Sequence, residues 1–413
     1  MTPGLLHEGK GTGNYGGSGW IGALQQLFID ARSEHTLALA FVSATEKEKT
    51  KKNGIIYYPI YEKPESGIRK LCRYYGGYKS WDREHLVPQI KEVISDFHPN
   101  VIHLFGLENQ LATILGRTAI PTVVHLQGLL GPVANAFYPN GFNHSSFIWP
   151  PTKREWLYRN GFLYEKKKLD LRGRQEQQLF KEARFFMGRT DWDFHVSQLM
   201  SKESMYYKVN EALRQPFYEN AGKWRPNDGK MTITSTISET LYKGLDLILK
   251  TALILKRETT IDFEWNVTGV KADSNFRKFI EHNVGIKGAD VNVRYCGIMN
   301  AQQLVGHSLK SDVYVHPSYI DNSPNSVCEA QLLGLPVIAT HVGGVSSLME
   351  HKKSGILVPA NEPHETAFWI MQFANNPDMA KELGRNGYEL AKARHAPEQI
   401  IKDLFNTYKD IAG

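Results

Sequence analysis

Cysteine is almost missing from this chain. Its three cysteines among 413 residues, Cys72, Cys296 and Cys328, form no spaced pair. That excludes a disulfide framework and a cysteine-built zinc site, and it suits a reducing compartment. Long apolar runs are missing too, since no stretch approaches the roughly 18 residues of a membrane-spanning helix. Met1 to Glu8 carry neither a basic leader nor an apolar run, so no secretory signal is expected. Glycine (35) and proline (19) stay at ordinary levels, which excludes collagen-like and proline-rich stalks. Charge excess is small. A net +6 suits a nucleotide or an anionic membrane face and is too weak to argue for nucleic acid.

What is present is apolar bulk. Hydrophobic residues make up 41%, with 19 Tyr, 19 Phe and 8 Trp, enough surface to offset chain entropy and exclude disorder. At roughly 150 residues per domain the length gives two or three domains. Short apolar runs read as strands at 101–105, 122–126, 184–187, 232–235, 264–268, 291–295, 313–316 and 337–340. Between many of them lie runs with helical spacing, such as 21–31, 244–256, 325–333 and 363–374. Strand alternating with helix means parallel sheets with both faces covered, an α/β architecture. Two such series divide the chain into an N-terminal domain over 1–205 and a C-terminal domain over 206–396. The polar segment Met205 to Asp228, with Pro216 and Pro226, reads as the crossing. The last helical run, within 397–413, is free to pack on either domain.

A Rossmann-like domain opens with a buried strand that feeds its first glycine-rich loop. Here the run Gly11 to Gly19 follows ten residues that are hardly strand-like. Either the first strand is missing through a late start, the reading favoured here, or the sheet begins elsewhere. A second anomaly is basic. Lys153, Arg154, Arg159, Lys166, Lys167, Lys168 and further cations up to Arg184 are interleaved with aromatics such as Trp156 and Tyr158. The plain reading is an amphipathic helix with a solvated basic face. The sharper one is contact between 151–184 and an anionic membrane surface.

The segment from Val313 to Thr340 carries the strongest chemistry. It reads as strand, loop, helix, turn, strand, with Ser323 as N-cap, Pro324 at the first helical position and Gly334 closing the helix. A helix N-terminus at a strand's C-terminal end offers free N–H groups and a positive dipole to an anion. Asp321 precedes that helix and Glu329 lies inside it, so two carboxylates flank a phosphate-friendly place. An ordinary strand–helix–strand unit with a surface Glu explains the spacing as well.

The same segment resembles the C-terminal signature of glycosyltransferase family 4, retaining GT-B enzymes, in a form similar to a bacterial surface-polysaccharide subgroup. Asp321, seven residues, Glu329, Ala330 and Gly334-Leu-Pro-Val337 match the family's Glu, seven residues, Glu pattern, with Asp standing for the first Glu. The resemblance implies two Rossmann-like domains facing across a cleft. It implies that Asp321 touches the donor sugar, that Glu329 binds the ribose, and that Asn322, Ser323, Asn325 and Ser326 offer backbone amides. Lys243, in Thr240-Leu-Tyr-Lys-Gly-Leu-Asp246, corresponds to the lysine that binds the donor diphosphate. A second cation usual in the family is absent from Ser235 to Glu239, and Arg189 is a candidate for it. Gly17 of Tyr15-Gly-Gly-Ser-Gly-Trp20 matches the family's glycine loop. Gln127 or His125 stands where the family has a cleft histidine, although His125 reads equally as a core residue. Gly269, Gly297 and Gly343-Gly344 match loops around the nucleotide base. Asp191-Trp-Asp193 follows a strand, where Thr190 or Asp191 reads as a helix cap rather than as part of a metal pair, and no metal or separate cofactor is expected.

The implied activity is retaining transfer from a nucleoside-diphosphate sugar of UDP or GDP type. The acceptor would be a saccharide or lipid-linked saccharide, in surface-polysaccharide assembly at the inner face of the cytoplasmic membrane. A nucleotide-sugar epimerase or hydrolase of the same fold, and a non-catalytic nucleotide-sugar binder, are the competing readings.

Overall fold

The computed structural model describes residues 19–31, 35–62, 84–142, 146, 161–227 and 229–413, with the backbone alone at 163 and 164. Gly17, Cys72 and the basic stretch 151–160 lie outside the described residues.

Among the described residues, the first elements of the N-terminal domain are α1 (Gly19–Asp30), β1 (Ala38–Ser43), β2 (Thr50–Lys52) and β3 (Ile55–Tyr61). These strands form a sheet in the order β1-β3-β2, with β1 and β3 parallel and β2 antiparallel to β3. α2 (Val87–Phe97), β4 (Ile102–Phe105), β5 (Thr122–His125), α3 (Leu130–Asn135), α4 (Phe162–Glu182), β6 (Phe185–Gly188), α5 (Asp191–Met200) and β7 (Met205–Lys208) follow. Here β4-β5-β6-β7 make a parallel sheet. Alternate strand residues serve opposite faces, as strand geometry dictates. Val124 and Phe186 pack with Ile90, Leu111 and Phe180, whereas Val123 and Met187 pack with Trp20, Leu24 and Leu404.

The C-terminal domain contains α6 (Gln215–Glu219), β8 (Met231–Thr236), α7 (Leu245–Glu258), β9 (Phe263–Thr268), α8 (Asn275–Val284), β10 (Val293–Gly297), α9 (Ala301–Ser308), β11 (Val313–His316), α10 (Asn325–Leu333), β12 (Val337–Thr340), β13 (Ile356–Val358), α11 (Pro363–Asn375) and α12 (Pro377–Arg394). Its sheet is parallel throughout, in the order β10-β9-β8-β11-β12-β13. Every residue of β11 and β12 is buried, which is why both read as continuous apolar runs rather than alternating ones. The order reverses between β8 and β11. That switch point opens a crevice outside the strands' C-terminal ends, the place where ligands bind in open α/β sheets.

The segment taken as a polar crossing differs from expectation. It opens with β7, paired to β6, and includes α6. β7 is an edge strand with two exposed residues, Met205 and Lys208, so no apolar run announces it. The final helix, α13 (Pro397–Ala412), returns to the N-terminal domain. Phe405 meets Phe28 edge to face at 5.4 Å, and the Tyr408 hydroxyl lies 2.6 Å from His103 Nδ1.

Candidate active site

Two loops at the switch point carry the charged centre. β8 ends at Thr236, and a 3₁₀ turn, Leu241–Lys243, delivers Lys243. Gly244 then takes φ 78°, and a Cβ there would stand 2.1 Å from the Pro317 carbonyl oxygen, so only glycine lets this loop pass the β11 loop. Tyr319 ties the two together: its N–H donates to Tyr242 O (2.8 Å) and its hydroxyl to Asp246 (2.7 Å). Lys243 Nζ thereby sits 2.5 Å from Asp321 Oδ2. Burial pulls the Lys243 ammonium down, but Asp321 and Tyr242 outweigh it and hold the pKa above the usual lysine range. Burial pushes Asp321 up, but Lys243 and His316 hold it well below the usual carboxylate range. His316 Nε2 lies 3.2 Å from the same oxygen. Burial keeps that imidazole neutral, against the pull of Asp321. His316 was not among the residues expected here; its place at the C-terminal end of β11 was the available signal.

The helix behind Asp321 starts one residue later than its sequence suggests. Pro324 is the N-cap of α10, without a side-chain cap, and Asn325 is the first helical residue. The Ser323 hydroxyl instead donates to buried Glu211. The first N–H groups of α10 are therefore left without a capping side chain, and Asn325 and Ser326 stand half-buried beside them. Glu329 lies one turn further in and is 4% exposed. Both its oxygens accept from Arg214, Nε to Oε1 at 2.7 Å and Nη2 to Oε2 at 2.6 Å. Burial raises the Glu329 carboxyl, and Arg214 draws it back only in part. Arg214, at the head of α6, was not singled out as a site residue. It lies 115 positions from Glu329 in sequence, so no local pattern links the two.

Asn322 faces the other domain with its side chain. Its amide donates to Gln127 O (3.0 Å) and Asp193 Oδ1 (2.6 Å), and its oxygen accepts from Thr190 (2.9 Å). Arg189 is 2% exposed and donates to the Leu126 and Gln127 carbonyls at 3.3 and 3.0 Å, with its guanidinium 4.8 Å over the Trp20 ring. The Arg189 guanidinium is thus engaged by backbone carbonyls and an aromatic ring of the N-terminal domain. His125 is fully buried, 3.2 Å from His103 and edge-on to Trp20 at 4.7 Å. Burial, then His103 and Arg189, push it well below the ordinary histidine value. Gln127 is only half-buried and lines a large cavity on the N-terminal side, with Glu108 and Arg172. Glu108 is a further residue that sequence alone did not mark. Burial raises its pKa to about 7. Gly269 follows β9 with φ 88° and packs on the Ile237 carbonyl; Gly343 (φ 49°) packs on that of Asp321.

Asp193 spends its carboxylate on Arg189 N–H and Asn322, and Thr190 caps α5. That is the capping arrangement expected of Asp191-Trp-Asp193. Among the described residues one buried trio, Glu211, Cys328 and His395, has metal-ligand spacing. Its members already bond to one another, Cys328 Sγ to Glu211 Oε1 at 3.2 Å and His395 Nδ1 with Glu211 O at 2.9 Å.

Two ion pairs, Lys243–Asp321 and Arg214–Glu329, thus stand at a switch point, beside a helix N-terminus and facing a second domain. Residues 218–390 match the family model described as "Glycosyl transferases group 1". That stretch contains Lys243, Asp321 and Glu329. The chain is 33% identical over 147 residues to a D-inositol 3-phosphate glycosyltransferase of Paenarthrobacter aurescens, covering 35% of each chain. It is 23% identical over 169 residues to the alpha-D-kanosaminyltransferase of Streptomyces kanamyceticus, covering 41% of this chain and 43% of that one. The alignments thus span about a third to two fifths of these relatives. Among solved structures, a sucrose-phosphate synthase from Thermosynechococcus elongatus superposes with a TM-score of 0.69 at 12% identity, covering 96% of this chain and 95% of that one. The Anabaena protein HepE, solved in complex with UDP and glucose, gives 0.60 at 15% identity, covering 96% and 98%. The fold is GT-B: two α/β domains built on parallel sheets.

Proposed function

We propose that this chain is a retaining glycosyltransferase of family 4 type that moves a sugar from a nucleoside diphosphate to a saccharide or lipid-linked saccharide. The observation that carries the reading is the Lys243–Asp321 pair, set 2.5 Å apart at the switch point beside the uncapped start of α10. A diphosphate seated there gains the ammonium and the helix dipole as charge develops on the leaving group, without needing a metal. Asp321, released from Lys243, accepts from sugar hydroxyls. Glu329 faces the ribose, and Arg214, freed from it, supplies the second cation missing from Ser235 to Glu239.

The step is a front-face substitution. The bond from the anomeric carbon to the diphosphate oxygen breaks. The acceptor oxygen bonds to the same face, and its proton passes to the departing diphosphate. No protein nucleophile is required. The Asn322 contacts hold the two domains together around this step and help exclude water. A UDP-type donor is supported by analogy with HepE, whose structure was solved with UDP and glucose.

The acceptor side is the N-terminal domain. α4 keeps Lys167, Arg174 and Lys181 exposed, and no helix among the described residues is long and apolar enough to cross a membrane. This basic face supports contact with an anionic membrane bearing the acceptor, and a place in surface-polysaccharide assembly. The test is a thermal-shift and turnover panel of UDP, GDP, ADP, CMP, dTDP and their sugar conjugates, with and without Mg²⁺. Selective stabilisation by one diphosphate regardless of metal, with transfer only when an acceptor is added, is expected. Donor consumption without acceptor would point to an epimerase or hydrolase, and binding without turnover to a sugar-nucleotide sensor.

A further inference from the structure

His316 is a polar residue of the switch point that the transfer step leaves unused. β11 ends on it, behind buried Val313, Tyr314 and Val315, and its ring is 2% exposed. Neither ring nitrogen has a hydrogen-bond partner. Burying a polar group without partners is costly, so such a group calls for a reason. Nε2 nevertheless lies 3.2 Å from Asp321 Oδ2, within reach of a bond that a turn of the carboxylate would complete. That oxygen is already taken, because Lys243 Nζ donates to it at 2.5 Å. The Ser318 hydroxyl stands at 3.5 Å from the same oxygen, and Asn322 N–H donates to Oδ1 at 3.1 Å. Two cationic or ionisable side chains thus converge on one carboxylate oxygen, and one of them holds it.

The two partners are not equivalent. Lys243 is an ammonium on a flexible stem, carried by a loop beside the uncapped start of α10. If it turns to a diphosphate seated there, Asp321 Oδ2 loses its cation. His316 cannot follow, because it is enclosed at a strand end and paired with Ala339 of β12. The charges that act on the ring are Asp321, from the loop after β11, and Lys243, from the loop after β8. In the free protein Lys243 opposes the pull of Asp321, and burial keeps the imidazole neutral. A diphosphate adds negative charge and draws the opposing ammonium toward itself. Both changes favour an imidazolium beside Asp321. The side chains of Lys243 and Asp321 are 20% and 17% exposed, so a proton from water can reach the group.

We infer, on the transferase reading of this site, that His316 is a positioning residue that takes over Asp321 when Lys243 turns to the diphosphate, and that the nucleotide therefore binds together with a proton. The imidazolium then donates to Oδ2, and the carboxylate stays ionised and aimed at the sugar. No covalent bond changes except that to the proton. Water supplies it when the nucleotide binds and receives it back when the nucleotide leaves.

Calorimetric titration of the parent with UDP and with GDP, at about pH 7.5 in buffers of different ionisation enthalpy, counts the protons exchanged. Net uptake is expected, approaching about one proton per nucleotide bound. The nucleotide cannot be the site of uptake, since a phosphate with a pKa of about 6 loses protons beside a cation. Lys243 is already charged in the free protein. His316→Gln keeps a side-chain donor for Asp321 but cannot bind the proton. It should bind the same nucleotide without uptake and lose the parent's pH dependence of affinity, a weakening that approaches about tenfold per pH unit as pH rises. His316→Ala loses the donor as well. Its kcat should fall about 10²-fold with KM for the donor little changed, the cost of a misplaced group, and His316→Gln should recover most of that loss. The parent's uptake is read without any variant, so a variant that fails to fold leaves the test in place. Binding without net uptake, or uptake that persists in His316→Gln and so belongs to Asp321, would overturn the role of His316 and leave the transferase reading standing. Binding of no nucleoside diphosphate at all would overturn both.

Discussion

Arg214 holds Glu329 by both carboxylate oxygens, at 2.7 and 2.6 Å, joining the head of α6 to the first turns of α10. The pair is largely removed from water, with side-chain exposures of 20% and 5%. Breaking such a pair strands a charge and costs about 3–5 kcal/mol, whereas replacing both partners by apolar groups costs far less. Glu329→Ala is therefore expected to lower the urea midpoint strongly, and Arg214→Leu with Glu329→Leu to recover most of it. Both variants should lose affinity for the free nucleoside diphosphate, measured by titration calorimetry. Parent-like affinity in the recovered double variant would remove the pair from the binding site.

Lys243 offers the sharper kinetic test. Lys243→Ala is expected to cut kcat about 10²–10³-fold, the size seen when one donor to a developing negative charge is removed. It also leaves Asp321 without its cation, so the carboxyl should titrate closer to the ordinary range, visible as a new acidic limb in the pH–rate profile. Lys243→Arg should not rescue fully, because a planar fork cannot reproduce a compact ammonium. Unchanged kcat in Lys243→Ala would refute the assignment.

Much of this was legible in the sequence, and the illegible parts share a cause. β11 and β12 are buried on every residue and announced themselves as apolar runs, as did α10 between Pro324 and Gly334. β7 was hidden because an edge strand needs no apolar pattern. Lys243 and Asp321, which the structure pairs, could be singled out because each stands in a local motif. Arg214 and Glu329 meet across 115 positions, and Asn322 and Asp193 across 129, and no local pattern encodes such a meeting. Asn322 illustrates the limit. Its expected part was a backbone amide toward phosphate, whereas its side chain proves to join the domains.

Glu108 supplies a pH signature. Its carboxyl is raised from 4.5 to about 7, chiefly by burial, so the folded state holds a proton that the unfolded chain releases near 4.5. For an acid shifted upward, its contribution favours folding below about 4.5 and is lost as pH rises through about 7. Glu108→Gln is neutral throughout. The stability of that variant relative to the parent should climb by about 1.4 kcal/mol per pH unit between these values and then level off. Urea unfolding at half-unit steps from pH 4.5 to 8 measures it, and a flat difference would show that the carboxyl titrates normally.

The basic face of α4 makes a prediction about surfaces. Reversing Lys167, Arg174 and Lys181 to Glu should reduce binding to vesicles containing anionic lipid, each cation being worth about 1 kcal/mol near such a surface. The parent's binding should itself fall as salt shortens the Debye length. Because α4 also packs Phe162 against Phe279 at 4.7 Å, on the far side of the cleft, donor-only thermal shifts serve as the folding control. Equal vesicle binding by parent and variant would leave α4 as a solvated face.

Asn322 links the domains at the reacting end of the cleft, and its loss should be felt in motion before stability. Asn322→Ala removes donors to Gln127 O and Asp193, and leaves the Thr190 hydroxyl without its acceptor. Burial already raises the Asp193 carboxyl against the pull of Arg189, and the lost amide bond should raise it further. Stranding a buried carboxylate costs about 1–3 kcal/mol if the contact stays closed. The domains can avoid that cost by parting here and letting water reach Asp193. The variant is therefore expected to show a larger radius of gyration in solution scattering, and faster donor hydrolysis relative to transfer as water enters. Asn322→Asp should be worse, since it sets a second carboxylate against Asp193. An unchanged radius together with an unchanged ratio of hydrolysis to transfer would show that this contact accompanies closure without holding it.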